Sequence, residues 1–304
     1  MSYWLNIHYS PLFKIPRKIA KYGFSALYPL VIKIWELPQV KSIEETILAL
    51  SKNRLCIARF GDSEMLYIAK GLNLPYQRFD KRLADELSEI LLSKDDHILV
   101  GLPDAYRTLE DFKPNIKIFW RSQITYNYPT IYKLLDLTKQ YYNANITRLY
   151  YGYKDVQKSS YHFSLMRSLW EERNVLLIEG EKSRLGMGND LFADAISVER
   201  ILGPAHHAYD QIDNLYREVL KHVTEKLVLV AMGPTAKALV YRLAQQGYQA
   251  IDIGNLDLEY EWFKRGVKER VIIPGKYVSE VKGGRNVEDA TDEVYLSQIV
   301  AKCL

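Results

Sequence analysis

Short apolar segments alternate with amphipathic segments through most of this 304-residue chain, and this alternation is the strongest constraint on its fold. Buried strands of a parallel sheet read as nearly continuous apolar runs, because helices cover both faces of such a sheet. The pattern therefore predicts one α/β unit with a mostly parallel sheet. The predicted strands are 55–60, 98–102, 116–120, 175–178, 227–232 and 250–253, and helical patterns between them include 83–92, 161–170, 209–223 and 235–246.

The positive charge of the chain is confined to its first forty residues. The whole chain has 41 basic and 37 acidic residues, a net charge of +4. Residues 1–40 account for all of this excess, with the cations Lys14, Arg17, Lys18, Lys21 and Lys33 against the single acid Glu36. The rest of the chain is neutral, which argues against a nucleic-acid-binding protein, since those carry a basic face on the folded domain.

We therefore divide the chain into a basic amphipathic arm, residues 1–40, and one folded domain, residues 41–304, because no linker-like composition interrupts the latter. Two hypotheses describe the arm. It is either a helix that packs on the body with its lysines in water, or a surface helix that meets anionic lipid. Its apolar stretch, 24–32, is too short to span a bilayer. Two isolated cysteines, Cys56 and Cys303, fit a cytoplasmic protein, and the second hypothesis would place it at the inner membrane face.

Parallel sheets bind ligands beyond the carboxyl ends of their strands, and four polar loops follow predicted strands here. The first holds Asp62 and Glu64, preceded by Arg59 and Gly61. Two carboxylates at this spacing can converge, and Mn²⁺ or Mg²⁺ takes one or two protein carboxylates together with phosphate oxygens. Arg59 could pair with a phosphate or hold a carboxylate in place. The alternative is a helix start, in which Asp62 is the N-cap and Glu64 lies in the first turn.

The second loop, 179–190, combines three glycines with two cations and an Asn-Asp pair. Its backbone N–H groups and the guanidinium of Arg184 suit a diphosphate. The Gly-Lys-Ser/Thr order of a P-loop is absent, and a long surface loop with solvated charges is the alternative. The candidate nucleotide-binding residues in this loop are Lys182, Arg184, Gly186, Gly188, Asn189 and Asp190.

The third loop joins the predicted strand 227–232 to the helix 235–246 through Gly233, Pro234 and Thr235. Proline near the first helical position pre-forms a helix N-terminus, which is a natural anion site. The dinucleotide-binding pattern Gly-x-Gly-x-x-Gly is absent, and a purely structural turn is the alternative.

The fourth loop, 252–262, holds four carboxylates and two aromatic residues. Asp257 and Glu259 are candidate proton acceptors, Asn255 is a candidate sugar contact, and an aromatic ring here can stack on a sugar or base. The alternative is an acidic helix start with aromatic core packing.

Together these loops resemble the motifs of the GT-D-type bacterial glycosyltransferases, long catalogued only as a domain of unknown function. The resemblance runs in consistent order through residues 42–275. It implies a Rossmann-like sheet with helices on both faces, in which an Asp-x-Glu motif binds a divalent metal and a nucleotide-diphosphate sugar, typically UDP-glucose. By this resemblance Asp62 and Glu64 become the metal and diphosphate residues. The implied reaction transfers a hexose from a UDP-sugar to a glycan or lipid-linked acceptor, in surface polysaccharide or glycoprotein glycan synthesis.

Two positions depart from the family pattern. Ser63 stands where glycine is common, and Asn255 stands where a histidine is expected. Asparagine cannot take a proton, so that role would pass to Asp257, Glu259 or Asp252. Two other functions stay open at this point. One is a nucleotide-cofactor enzyme such as a methyltransferase, suggested by the βαβ pattern at 227–253, and the other is a catalytically inactive nucleotide-sugar-binding module.

Overall fold

The computed structural model describes residues 14–304, which contain one eight-stranded sheet flanked by helices. The strands are β1 (Cys56–Arg59), β2 (Ile98–Leu102), β3 (Tyr142–Asn143), β4 (Asn174–Gly180), β5 (Ser197–Gly203), β6 (Lys226–Ala231), β7 (Ala250–Asp252) and β8 (Ile299–Lys302). The α-helices are α1 (Lys14–Ile34), α2 (Ile43–Asn53), α3 (Asp62–Lys70), α4 (Lys81–Leu92), α5 (Pro114–Ile131), α6 (Val156–Arg167), α7 (Ile212–His222), α8 (Thr235–Ala244), α9 (Leu256–Lys264) and α10 (Glu293–Ser297).

The sheet confirms the predicted parallel α/β architecture. Its strand order is β3-β2-β1-β7-β6-β4-β5-β8, and every neighbouring pair is parallel. Successive residues of one strand face opposite layers: Ile57 packs with helices α2, α6 and α9, whereas Ala58 packs with α4, α7 and α8. Both layers are buried, which is why the strands read as unbroken apolar runs.

One predicted strand is wrong. Residues 116–120 lie inside helix α5, which begins at Pro114. A short apolar run does not distinguish a strand from a helix, and the proline at the first helical position was the informative residue here. Three strands were missed. β3 has only two residues, β8 is a short edge strand, and β5 carries charges, of which Arg200 is hidden by an ion pair with Glu179 (2.6 Å).

Helix α1 packs along α5. Phe24 contacts Tyr126 with ring centroids 5.1 Å apart, and the guanidinium of Arg121 lies 5.5 Å from the ring of Tyr28. The chain after the helix is tied to α5 as well, because the Tyr128 hydroxyl donates to the Glu36 carbonyl (2.6 Å). The first thirteen residues of the predicted arm lie outside the described residues.

The opposite face of α1 is exposed and apolar, with Ile19, Tyr22, Leu27, Leu30 and Ile34 in water. No helix within residues 14–304 combines the length and hydropathy that crossing a bilayer requires.

Candidate active site

A cavity of about 700 Å³ lies at the carboxyl ends of the strands. It is centred on β1 and β7, the third and fourth strands of the sheet, and open α/β sheets usually bind ligands beyond the carboxyl ends of their strands. Its volume is in the range of small-molecule sites. Among the residues predicted from sequence, those that line it are Arg59, Gly61, Asp62, Glu64, Lys182, Gly233, Pro234, Asn255, Asp257 and Glu259.

The acidic pair lies in the first turn of α3, and its two carboxylates have different environments. Glu64 Oε2 accepts hydrogen bonds from the Gly61 N–H (3.0 Å) and the Ser63 hydroxyl (3.1 Å), so Glu64 also caps the helix. The N-cap is Gly61 rather than Asp62, which corrects the helix-start alternative in that detail. Burial and the neighbouring Glu64 carboxylate raise the pKa of Asp62.

A buried ion network joins α3 to α8 and β7. Lys237 Nζ lies 3.2 Å from Glu64 Oε1 and 3.2 Å from Asp252 Oδ2. Arg59 pairs with the other Asp252 oxygen (2.7 Å) and donates to the Ala144 carbonyl (3.0 Å). Burial opposes the ionised form of Glu64, yet the Lys237 ammonium holds the pKa of Glu64 below its usual value. Burial likewise opposes ionisation of Asp252, but Arg59 and Lys237 lower its pKa.

Asp62 is therefore the cavity carboxylate with open oxygens. Among the described residues no side chain forms an ion pair with it, whereas Glu64, Asp252, Asp257, Glu259 and Glu280 are all paired. No group of three or more His, Cys, Asp or Glu side chains suited to a metal ion occurs in residues 14–304. A divalent cation that takes its other ligands from phosphate and water needs only one or two such carboxylates, so Asp62 fits that donor set.

The third loop forms a helix N-terminus at the cavity. Gly233 adopts a positive φ of 57°, and a Cβ on it would lie 2.7 Å from the Tyr76 ring. Glycine is required there because a side chain would displace that ring. The Gly233 carbonyl also accepts from Lys237 (3.2 Å). The first turn of α8 thus places the positive end of the helix dipole and a buried ammonium at one wall of the cavity, whereas Thr235 is buried and does not line it.

Most of the second loop is structural, and only Lys182 of its predicted nucleotide-binding residues lines the cavity. Arg184 is buried, and its guanidinium donates to the carbonyls of Gly275 and Glu288. Neither Gly186 nor Gly188 lines the cavity, although both adopt a positive φ of 73°. The sequence shows the charge of Arg184 and its neighbouring glycines, and these predict contact with a diphosphate. It does not show that two distant carbonyls accept the hydrogen bonds of its guanidinium.

The remaining residues of this loop fasten it to α9. Asp257 Oδ1 accepts from the Gly186 N–H (2.9 Å) and the Asn189 amide (2.8 Å), and Lys276 pairs with Asp257 Oδ2 (2.7 Å). Asp190 accepts from the Tyr260 hydroxyl (2.9 Å) on the protein surface. Asn189 and Asp190 therefore lie outside the cavity wall, and the carboxylate of Asp257 is fully engaged by protein groups.

Glu259 is engaged in the same way. Its Oε2 atom accepts from the backbone N–H groups of Tyr150 (3.0 Å) and Tyr151 (2.8 Å), and burial raises its pKa. Arg148 lies beside it, 3.7 Å away, and pairs with Glu280 (2.6 Å). The predicted roles of Asp257 and Glu259 as proton acceptors stay predictions, since each would have to exchange a protein partner for a substrate hydroxyl.

Asn255 faces the cavity and donates to Glu280 Oε1 (3.1 Å). Glu280 also lies 3.2 Å from Arg270, so it gathers three donors at the cavity wall. Burial opposes ionisation of Glu280, but Arg148 keeps its pKa below the usual value.

Several cavity residues were missed in the sequence: Tyr76, Phe112, Ile116, Phe119, Trp120, Arg148, Tyr151, Lys237, Arg270 and Glu280. The sequence held one signal for Lys237, because this lysine interrupts the apolar pattern of the predicted helix 235–246. Lysine is almost never fully buried unless its charge is paired, and Lys237 is buried. Arg148 and Glu280 lie in segments without a recognisable motif.

Known proteins match this chain over the residues that form most of the sheet and of the cavity. The family model for the glycosyltransferase GT-D fold matches residues 57–281, more than half of the chain. Glycosyltransferase GlyD of Streptococcus pneumoniae is 36% identical over 271 residues, which cover 88% of this chain and 33% of GlyD. The probable glycosyl transferase Gly of Streptococcus gordonii is 35% identical over 263 residues, 86% of this chain and 38% of that protein. The chain thus spans little more than a third of the length of these relatives.

Solved structures agree with the fold. A new glycosyltransferase from Streptococcus sanguinis superposes with a TM-score of 0.83 at 35% identity, covering 88% of this chain and 100% of that one. A domain of unknown function 1792, described as having a distinct glycosyltransferase fold, superposes with a TM-score of 0.83 at 32% identity, covering 93% and 98% respectively.

Proposed function

This chain belongs to the family of glycosyltransferases with the GT-D fold, and we propose that it transfers a hexose, such as glucose, from a UDP-sugar to a glycan or lipid-linked acceptor. Synthesis of a surface polysaccharide or a glycoprotein glycan is the proposed setting. The observation that supports this most directly is the pairing, in one cavity, of an anion-binding helix N-terminus with an open carboxylate, Asp62.

The diphosphate of the donor belongs at the first turn of α8. The positive end of the α8 dipole, the backbone N–H of Gly233 and the nearby Lys237 ammonium supply positive potential, and Lys182 adds a second cation at the rim. Lys237 is held by Glu64, Asp252 and the Gly233 carbonyl, so it acts on the diphosphate through its charge at a fixed position and not as a free hydrogen-bond donor. Fixed charges of this kind stabilise the charge that develops on a leaving diphosphate.

A divalent metal, Mn²⁺ or Mg²⁺, completes the proposed donor site. Asp62 would hold it, with Glu64 beside it, and the ion would neutralise charge on the diphosphate as it leaves. Glu64 is less available, since Lys237, Gly61 and Ser63 already contact its carboxylate. We therefore assign the larger share of metal binding to Asp62.

The test measures UDP release from UDP-glucose, with and without Mn²⁺ and with a panel of sugar acceptors. Asp62→Asn should lower the rate at least about a hundredfold, as expected for loss of a charged group at a leaving group. Its melting temperature should not fall, because burial and the Glu64 carboxylate raise the pKa of Asp62, so the folded protein disfavours the charge that this substitution removes. Asp85→Asn, which alters an exposed carboxylate on α4, is the matched control.

Excess EDTA should abolish the activity of the wild-type protein. Full activity of the Asp62→Asn variant, together with full activity of the wild-type protein in excess EDTA, would contradict the role of Asp62 in metal binding. Thermal stabilisation by UDP without UDP release from any donor would instead identify an inactive binding module.

The exposed face of α1 supports a further part of the proposal, contact with an anionic membrane. Ile19, Leu30 and Ile34 are 68%, 58% and 76% exposed, and residues 14–34 contain cations but no acid. An apolar helix face flanked by lysines suits the boundary between lipid headgroups and acyl chains.

A further inference from the structure

One wall of the cavity has no part in the donor site described above. It consists of Phe112, Ile116, Phe119, Trp120 and Tyr151, here called the aromatic wall. Four of these side chains come from the start of α5 and the segment just before it, and Tyr151 comes from the segment before α6. The end of the cavity at Gly233 combines the cations Lys182 and Lys237 with the ring of Tyr76, whereas the aromatic wall groups five large and mainly apolar side chains.

The aromatic wall is anchored to β2 and β3. Phe112 stacks on Tyr153 with ring centroids 4.8 Å apart, and the Tyr153 hydroxyl donates to Asp104 (3.0 Å) just after β2. Asp104 also accepts from Asn143 of β3 (2.8 Å). These contacts are buried, so the ring of Phe112 is held in place without a ligand.

Sheet order separates this wall from the helix N-terminus. β6, which leads to Gly233, is the third strand from β2, so the carboxyl ends of these two strands lie about 14 Å apart at the usual strand spacing. β1, which leads to Asp62, lies between them. A ligand placed between the two ends therefore has Asp62 near its middle.

Helix α1 also reaches the aromatic wall. Lys21 lines the cavity with its ammonium 5.8 Å from the Phe119 ring centroid, and Asn115 adds an amide at the same end. Lys21 lies outside residues 57–281, the part matched by the family model. The aromatic end thus combines flat apolar faces with a few hydrogen-bonding groups at its edge.

We propose that the aromatic wall binds the terminal pyranose ring of the acceptor. This inference rests on the proposed donor site, which places the diphosphate at α8 and leaves the other end of the cavity for the second substrate. A pyranose has an apolar C–H face that packs on an aromatic ring and a rim of hydroxyls that need hydrogen bonds. Phe119 and Trp120 supply the rings, and Lys21 and Asn115 supply groups for the rim.

The experiment measures sugar binding by saturation-transfer NMR with four probes: methyl β-glucopyranoside, methyl β-galactopyranoside, cellobiose and lactose. None has an aromatic aglycon, so stacking must come from the sugar itself. Wild-type protein should bind at least one probe, and Phe119→Ala and Trp120→Ala should each weaken that binding about tenfold. Two variants are used so that one suffices if the other fails to fold.

Tyr161→Ala is the matched control, because Tyr161 is an exposed aromatic residue of α6 outside the cavity. The thermal shift produced by UDP with Mn²⁺ is measured in parallel and should be unchanged in all three variants. A UDP shift lost in Phe119→Ala and Trp120→Ala would mean that the nucleobase occupies the aromatic wall, which would overturn the inference.

Absence of saturation transfer from all four sugars in wild type, or equal transfer in the wall variants, would also overturn it. By contrast, absence of any UDP shift in wild type with intact sugar binding would contradict the donor proposal and leave the sugar site standing.

Discussion

At the scale of single residues, Lys237 organises the site. It is 4% exposed and lies between Glu64 and Asp252, both of which the surrounding cations keep ionised. Removing one partner of such a network leaves uncompensated buried charge, whereas the complete network costs little. Because two carboxylates and the Gly233 carbonyl fix its position, Lys237 would act on a diphosphate through its charge and not as a free hydrogen-bond donor.

Lys237→Met should lower the free energy of unfolding at pH 7 by about 3–5 kcal/mol, because Glu64 and Asp252 would stay buried without their cation. Urea denaturation measures this loss. The double variant Lys237→Met/Glu64→Gln should recover part of it. Lys81→Met, which breaks an exposed pair with Asp85, should cost less than about 1 kcal/mol. Equal losses in the two single variants would show that Lys237 does not neutralise buried charge.

At the scale of elements, local signals start the helices and distant partners hold them in place. Helix α2 begins with a complete capping box between Ser42 and Glu45, a pattern readable from four residues. Glu44 in the same turn reaches His162 of α6, 2.7 Å away, and ties the two helices together. Burial resists ionisation of Glu44, but the hydrogen bond from His162 prevails and lowers the pKa of Glu44 to about 2.

This pair predicts a stability change in acid. The folded pKa of Glu44, about 2, lies below its ordinary value of 4.5, so its stabilisation is complete above pH 4.5 and is lost as pH falls towards 2. Melting temperatures of wild type and Glu44→Gln should differ most at pH 5–7 and converge as pH falls from 4.5 towards 2. Glu171→Gln, which alters an exposed carboxylate, should give no such convergence. A pH-independent difference for Glu44→Gln would refute the linkage.

At the scale of the whole molecule, the segment that carries all of the net charge is also joined to the cavity. Helix α1 presents Lys21 to the cavity on one side and its exposed apolar face to water on the other. A membrane under that face would therefore lie close to the aromatic end, where the acceptor is proposed to bind. The two hypotheses for the arm are compatible, since the helix packs on α5 and still leaves one face free.

Leu27→Glu/Leu30→Glu should reduce cosedimentation with vesicles of equal phosphatidylcholine and phosphatidylglycerol about tenfold, because two charges would enter the apolar face. Wild type should bind vesicles of phosphatidylcholine alone weakly, and UDP affinity should be unchanged. Val294→Glu, at an exposed valine on α10, is the control. Point variants are preferable to deletion, which would uncover the α5 surface. Equal sedimentation of wild type and the double variant would contradict lipid contact through this face.

The sequence by itself determined the parallel sheet, the loops at its carboxyl ends and the helix N-termini. These follow from apolar periodicity and from glycine, proline and capping residues, all of which act within a few positions along the chain. The acidic motif and the Gly233-Pro234 turn line the cavity for this reason. The same local reasoning misjudged residues 116–120, because a short apolar run fits either a strand or a helix.

Only the tertiary structure decided which charged groups remain open to a ligand. Arg184 and Asp257 looked available in the sequence but are engaged by residues up to 104 positions away, and Lys237 meets Glu64 across 173 positions. Pairing of buried charges depends on distances of about 3 Å between chain segments that no local pattern specifies. The open carboxylate of Asp62 and the aromatic wall opposite the anion site are therefore properties of the folded molecule.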